Sequence, residues 1–140
     1  MLRLGRTLYV GLSPRTNEEG ASALHRLVAP HGYEVVSVEA RGCLHLKTGC
    51  SGLDDSTVLV NPEWVDVSVF RGREVVFVDA AEPWAANVLS VAGSVCVSSS
   101  FPRTAELISA RGYDVRAVEV SEFAKAEGGM TCMSLLFRQP

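Results

Sequence analysis

Apolar positions along this chain come in short bursts of four to six residues, separated by glycine- and proline-bearing turns. Bursts of that length, bounded by breakers, predict strands rather than helices. Thr7–Leu12, Glu34–Glu39, Glu74–Val78 and Asp114–Val120 read as strands on β-branched content and alternation. Between them the period lengthens. Thr16 or Asn17 can cap a helix running to about Ala29, with Leu24, Leu27 and Val28 on one face and Pro30 and Gly32 ending it. Pro62–Phe70 reads as a short helix, Pro102–Arg111 as a helix opened by Ser100 or Phe101 and stopped by Gly112, and Ser121–Ala126 as a short helix capped by Ser121.

Two hairpins complete the pattern. The apolar runs Cys43–Lys47 and Thr57–Val60 are joined through 49–56, where Asp54 and Asp55 make a polar tip. Asn87–Val91 and Ser94–Val97 are joined through Ala92 and Gly93. Thr131–Phe137 predicts a last strand. The hairpins recur at roughly fifty-residue spacing, which points to repeated supersecondary units in an α/β fold. No linker or low-complexity stretch divides residues 1–140, so a single domain is expected.

Composition narrows the function classes. A net charge of -3 gives no electrostatic reason to expect nucleic acid or an anionic membrane as partner. No apolar run reaches the ~20 residues of a membrane helix, and the N-terminal residues lack the pattern of a secretion signal, so a cytoplasmic location is expected. The four cysteines, Cys43, Cys50, Cys96 and Cys132, form no metal-ligand spacing, and neither a metal nor another cofactor is expected.

Chemistry concentrates at three residues. Cys132 follows the glycine pair Gly128-Gly129 at the head of an apolar run. Such a cysteine can be plain packing, but glycines remove bulk where a substrate or another backbone must come close. A thiolate stabilised by a nearby positive charge becomes a nucleophile. His45 lies in Leu44-His45-Leu46-Lys47, where strand parity would set His45 and Lys47 on one face. A lone histidine is also what a satisfied core position gives; beside a lysine, its pKa would fall and favour the neutral base. Arg15, in Ser13-Pro14-Arg15-Thr16-Asn17, is either a solvated loop arginine or a bidentate clamp for a carboxylate. His25, His31 and 79–87 read as structural.

Taken together and in order, Ser13–Asn17, Leu44–Thr48, Ala85-Ala86-Asn87 and Glu127–Ser134 resemble the dimethylarginine dimethylaminohydrolases. These are guanidino-group modifying enzymes of the pentein type, related to arginine deiminase and the amidinotransferases. The resemblance runs from the first residues to Phe137 and covers the C-terminal half of such an enzyme or slightly more. It implies part of an α/β propeller built of repeated ββαβ modules. It implies a cysteine-dependent hydrolase that converts N-methylated arginine to citrulline and a methylamine through a covalent thiouronium, without a cofactor. Cys132 matches the family nucleophile, His45 its general acid/base, and Arg15 the arginine that grips the substrate α-carboxylate. Lys47 stands where deiminases typically carry an aspartate, as it does in the dimethylarginine enzymes. The acid that binds the guanidinium matches no residue here and would precede Leu2. The chain is therefore expected to be weak or inactive alone and to self-associate through the incomplete propeller. A non-catalytic remnant and a deiminase-like hydrolase are the alternative readings.

Overall fold

The computed structural model describes residues 1–137. Leu2 and Leu4 point into the core on either side of exposed Arg3, and Gly5 turns the chain at φ +57°. That short alternation makes β1 (Leu2–Leu4), which pairs antiparallel with β2 (Thr7–Leu12). Helix α1 (Glu18–Val28) then carries the chain back, and β3 (Glu34–Glu39) joins β2 in parallel. Asn17 caps α1 by accepting from the Gly20 N–H, and Glu18 and Glu19 occupy its first turn, where acids suit the helix dipole.

The same unit follows twice more. The antiparallel pair β4 (Cys50–Gly52) and β5 (Thr57–Val60) leads through a 3-10 turn at Val67–Phe70 to β6 (Glu74–Phe77), parallel to β5. The pair β7 (Leu89–Val91) and β8 (Ser94–Ser98) leads through α3 (Pro102–Ser109) to β9 (Asp114–Val118), parallel to β8. A short α4 (Ser121–Ala124) follows. The repetition read from the sequence is thus present three times, as three separate three-stranded sheets. The sheets adjoin through their first strands, β1 to β4 and β4 to β7. They do not close into a barrel or propeller; a closed propeller is not what these residues form alone.

Two hydrophobic cores lie between the three sheets. Val58 and Val60 of β5 face Leu2, Leu4, Tyr9, Val38 and Phe70, while Leu59 faces Val76, Val88, Val95, Val97 and Ile108. Because strand residues alternate sides, β5 is buried on both faces and reads as a continuous apolar run. Arg73 ties the first two units at their hairpin ends, donating to the Leu4 carbonyl at 2.9 Å, to the Asp55 carbonyl and to the Tyr9 hydroxyl. Glu82, buried in the loop before β7, accepts from the Arg103 and Thr104 N–H groups at 3.0 and 2.8 Å. It thereby satisfies orphan donors at the start of α3, a role the Phe101 side chain cannot fill.

Two expected strands are corrected. Cys43–Lys47 is a bend followed by α2 (Leu46–Gly49), and the strand that pairs with β5 is Cys50–Gly52. The hairpin closes further along because Asp54 accepts from the Ser56 and Thr57 N–H groups at its tip. The parity argument linking His45 to Lys47 therefore falls. Thr131–Phe137 is a turn and irregular chain, because the Cys132 and Met133 N–H groups both return to the Gly129 carbonyl. A strand needs a partner, and no ladder among the described residues includes this segment.

Candidate active site

The His45 segment is set by close packing. Gly42, at φ +66°, turns the chain beneath Trp64: a Cβ there would lie 2.9 Å from the indole. Arg41 N–H donates to the Trp64 carbonyl at 2.9 Å. Leu46 drops into the first core, and Gly11 of β2 makes room for it, since a Cβ on Gly11 would come 2.8 Å from the Leu46 Cβ. His45, one residue earlier, is left exposed, with extended backbone at the head of α2. Its carbonyl accepts from Thr48 N–H at 2.9 Å and from the Cys43 thiol at 3.4 Å.

Arg15 comes to the same place from the end of β2. Ser13 and Thr16 exchange backbone hydrogen bonds of 3.0 and 3.1 Å across a tight Pro14-Arg15 turn, and the Ser13 hydroxyl accepts from Arg15 N–H. The turn exposes the Arg15 side chain, which has no carboxylate partner among the described residues. Arg15 and His45 both line a cavity of about 540 Å³, with Val10, Gly11 and Leu46 at its base. Among the described residues its lining includes no Asp or Glu. Met1 also reaches it; burial, and then the charge of Lys47, push its α-ammonium pKa down. The cavity thus offers cation, imidazole and backbone to a ligand that brings a carboxylate.

Cys132 is exposed and is not among the residues that line this cavity. Beyond α4 the chain turns through Lys125–Glu127, with Glu127 in the left-handed region, φ +58°, the Gly128 N–H reaching back to the Phe123 carbonyl at 2.9 Å and the Glu127 N–H to the Ala124 carbonyl. This is the bonding of a Schellman ending, with a glutamate where glycine is usual. A Cβ on Gly128 would approach the Phe123 carbonyl at 3.1 Å, so the first glycine of the pair serves close backbone approach. The second serves Asn87, whose amide lies 2.6 Å from where a Gly129 Cβ would be and accepts from Thr131 N–H at 3.0 Å.

The other thiols are unlike Cys132. Cys50 is fully buried and burial pushes its pKa up to about 12. Burial also raises the Cys43 thiol, partly offset by a hydrogen bond from the Gly49 backbone. Cys96 is half-buried in β8. Sequence reasoning missed what holds the site. Trp64 carried no motif, although Gly42 and Gly49, both packed against the Trp64-Val65 pair, were its signal. Asn87 stood in a quoted motif but was read as part of a loop and strand start.

No protein-family model matches the chain. It is 36% identical over 137 residues to N(G),N(G)-dimethylarginine dimethylaminohydrolase of Pseudomonas aeruginosa, covering 98% of this chain and 54% of that protein. This chain resembles the dimethylarginine dimethylaminohydrolases. The Streptomyces coelicolor enzyme of the same name is 36% identical over 140 residues, 99% of this chain and 53% of that protein. A solved dimethylarginine dimethylaminohydrolase from Pseudomonas aeruginosa, a cysteine-to-serine variant complexed with citrulline, superimposes with a TM-score of 0.89 at 35% identity. That match covers 97% of this chain and 53% of that one. The chain therefore spans about half the length of the curated dimethylarginine dimethylaminohydrolases it matches. The α/β fold read from the sequence is the fold of that half.

Proposed function

We propose that the chain contributes the nucleophile, the acid/base and the carboxylate clamp of a hydrolase that converts N-methylated arginine to citrulline and a methylamine. The observation that carries this is the cavity shared by Arg15 and His45 in a chain so similar to the dimethylarginine dimethylaminohydrolases. Arg15 pairs with the substrate α-carboxylate through its planar fork of donors. Cys132, as thiolate, attacks the guanidinium carbon and forms a C–S bond. The C–N bond to the methylated nitrogen breaks as His45 gives that nitrogen a proton. His45, now neutral, takes a proton from water; the hydroxide adds to the same carbon, the C–S bond breaks, the added hydroxyl loses its proton to solvent, and citrulline leaves with the thiolate restored. Four free thiols suit a reducing compartment, and we place the reaction in the cytoplasm.

A guanidinium needs an anion, and none among the described residues lines the cavity. In this reading the carboxylate comes from a polypeptide segment outside these residues, and Cys132 meets His45 across the substrate only in the completed site. Citrulline release from dimethylarginine tests it, with the chain alone and with the unmatched part of the Pseudomonas aeruginosa enzyme supplied. The chain alone is expected to be slower by on the order of 10²- to 10³-fold, the cost of one missing preorganised group. Cys132→Ser should abolish turnover in the completed protein. Equal rates with and without the added segment would refute the missing carboxylate, and turnover by Cys132→Ser would refute the nucleophile.

Self-association is the second reading. Leu135, Leu136 and Phe137 stand exposed together, an apolar segment of the kind that seeks a partner surface.

A further inference from the structure

We propose that Asn87 is a positioning residue for Cys132, holding the turn from which the thiol projects. The proposal rests on the reading of Cys132 as nucleophile. Among the described residues Asn87 makes no hydrogen bond to Cys132; it acts on the two residues that set the turn. Its Oδ1 accepts from Thr131 N–H at 3.0 Å, and its amide lies flat against Gly129, 2.6 to 3.1 Å from an added Cβ. Gly129 is also the residue whose carbonyl receives the Cys132 and Met133 N–H groups, at 3.0 and 3.3 Å. One side chain therefore grips both the start of the turn and the residue before the thiol.

The grip is only as good as the anchoring of Asn87, and that anchoring is unusually firm for a loop. Ala85 and Ala86 are fully buried in the second core. Val88, also buried, donates its N–H to the Ser51 hydroxyl at 3.3 Å and to the Ala86 carbonyl at 3.2 Å. Ser51 is itself buried, in β4, the strand that leaves α2 and the His45 segment. Asn87 is thus fixed from below by the element that follows His45 and, above, fixes the turn that carries Cys132. Misplacement of reacting groups by about 1 Å can cost on the order of 10²-fold in rate, so a rigid link between the two is worth having.

The test uses the 140-residue chain and no substrate. Amide exchange at Thr131 reads the grip. The rate of iodoacetamide labelling at Cys132 relative to Cys96, followed over about pH 6 to 9, reads the thiol. Cys50, buried, should stay unlabelled and reports an intact fold. In Asn87→Ala, Thr131 should exchange roughly fivefold faster, the loss of one hydrogen bond, and the Cys132-to-Cys96 ratio should fall by about threefold or more. Asn87→Asp retains the acceptor and should keep Thr131 protected. Gly129→Ala wedges the same contact from the other side and should reproduce Asn87→Ala; it carries the test if Asn87→Ala exposes Cys50. Faster Thr131 exchange with an unchanged Cys132 ratio at every pH would overturn the proposal, as would unchanged exchange. The nucleophile assignment fails separately, by turnover of Cys132→Ser in the completed protein.

Discussion

At the scale of single residues, environment separates groups that the sequence presents alike. Four cysteines of equal chemistry occupy four settings. Iodoacetamide near neutral pH is expected to modify Cys132 first and Cys50 last, because only the thiolate reacts and burial holds the Cys50 pKa at about 12. Mass-mapped labelling checks the order; uniform labelling would argue against a distinct Cys132 environment. Asp54 gives a second case. Burial opposes its ionisation, but hydrogen bonds from Tyr113, Ser56 and Thr57 outweigh that and bring its carboxyl down to about 2. A carboxyl lowered on folding stabilises fully above its unfolded value and loses that contribution as pH falls through the folded one. Asp54→Asn should therefore melt below wild type at neutral pH. The gap should close between about pH 4 and about pH 2, followed by melting temperature against pH. A gap constant over that range would remove Asp54 as a pH-linked hairpin tip. Three residues were legible in the sequence as candidates only; Arg15 and His45 line one cavity and Cys132 lies outside it. Their supports were not, because Trp64 and Asn87 act through distances that no spacing along a chain encodes.

Elements were legible where local signals and tertiary pairing agreed. The cap at Asn17, the stop at Gly112 and the hairpin at Ala92-Gly93 stand where the sequence puts them. The two misplaced strands have one cause: an apolar run of four or five residues does not say whether a partner strand awaits it. Leu44-His45-Leu46 looks like a strand, yet Leu46 is apolar because it plugs a core beside Gly11. The three-residue β1 was passed over although Leu2 and Leu4 flank Arg3 in alternation, since so short a strand gains its meaning from β2. Gly11→Ala tests this account of the His45 segment. The added methyl would stand 2.8 Å from the Leu46 Cβ, with backbone close behind, so α2 has to shift. A loss of about 1–3 kcal/mol is expected from such overpacking, by denaturant melt. A neutral or stabilising Gly11→Ala would mean the segment is looser than its packing implies.

For the whole molecule, three like units stacked in a row leave two ends, and the apolar segment Leu135–Phe137 lies beyond the last. Concentration-dependent size exclusion is expected to show species larger than one chain, and replacing Leu135 and Phe137 by serine should shift them toward the monomer. Elution as a monomer at every concentration would remove self-association from consideration. Among the described residues no helix is long and apolar enough to cross a membrane.

The placement of β5 between two cores has a consequence for how the molecule comes apart. In a linear array each unit is held by its neighbours alone, so an outer unit has one interface to lose and the middle unit has two. Opening of the first unit leaves Leu59 covered, and opening of the third leaves Val58 and Val60 covered. The middle strand can be wetted only after both flanks have gone. Thermal noise at the ends, which is where Arg15 and Cys132 are carried, need not reach the wall between them.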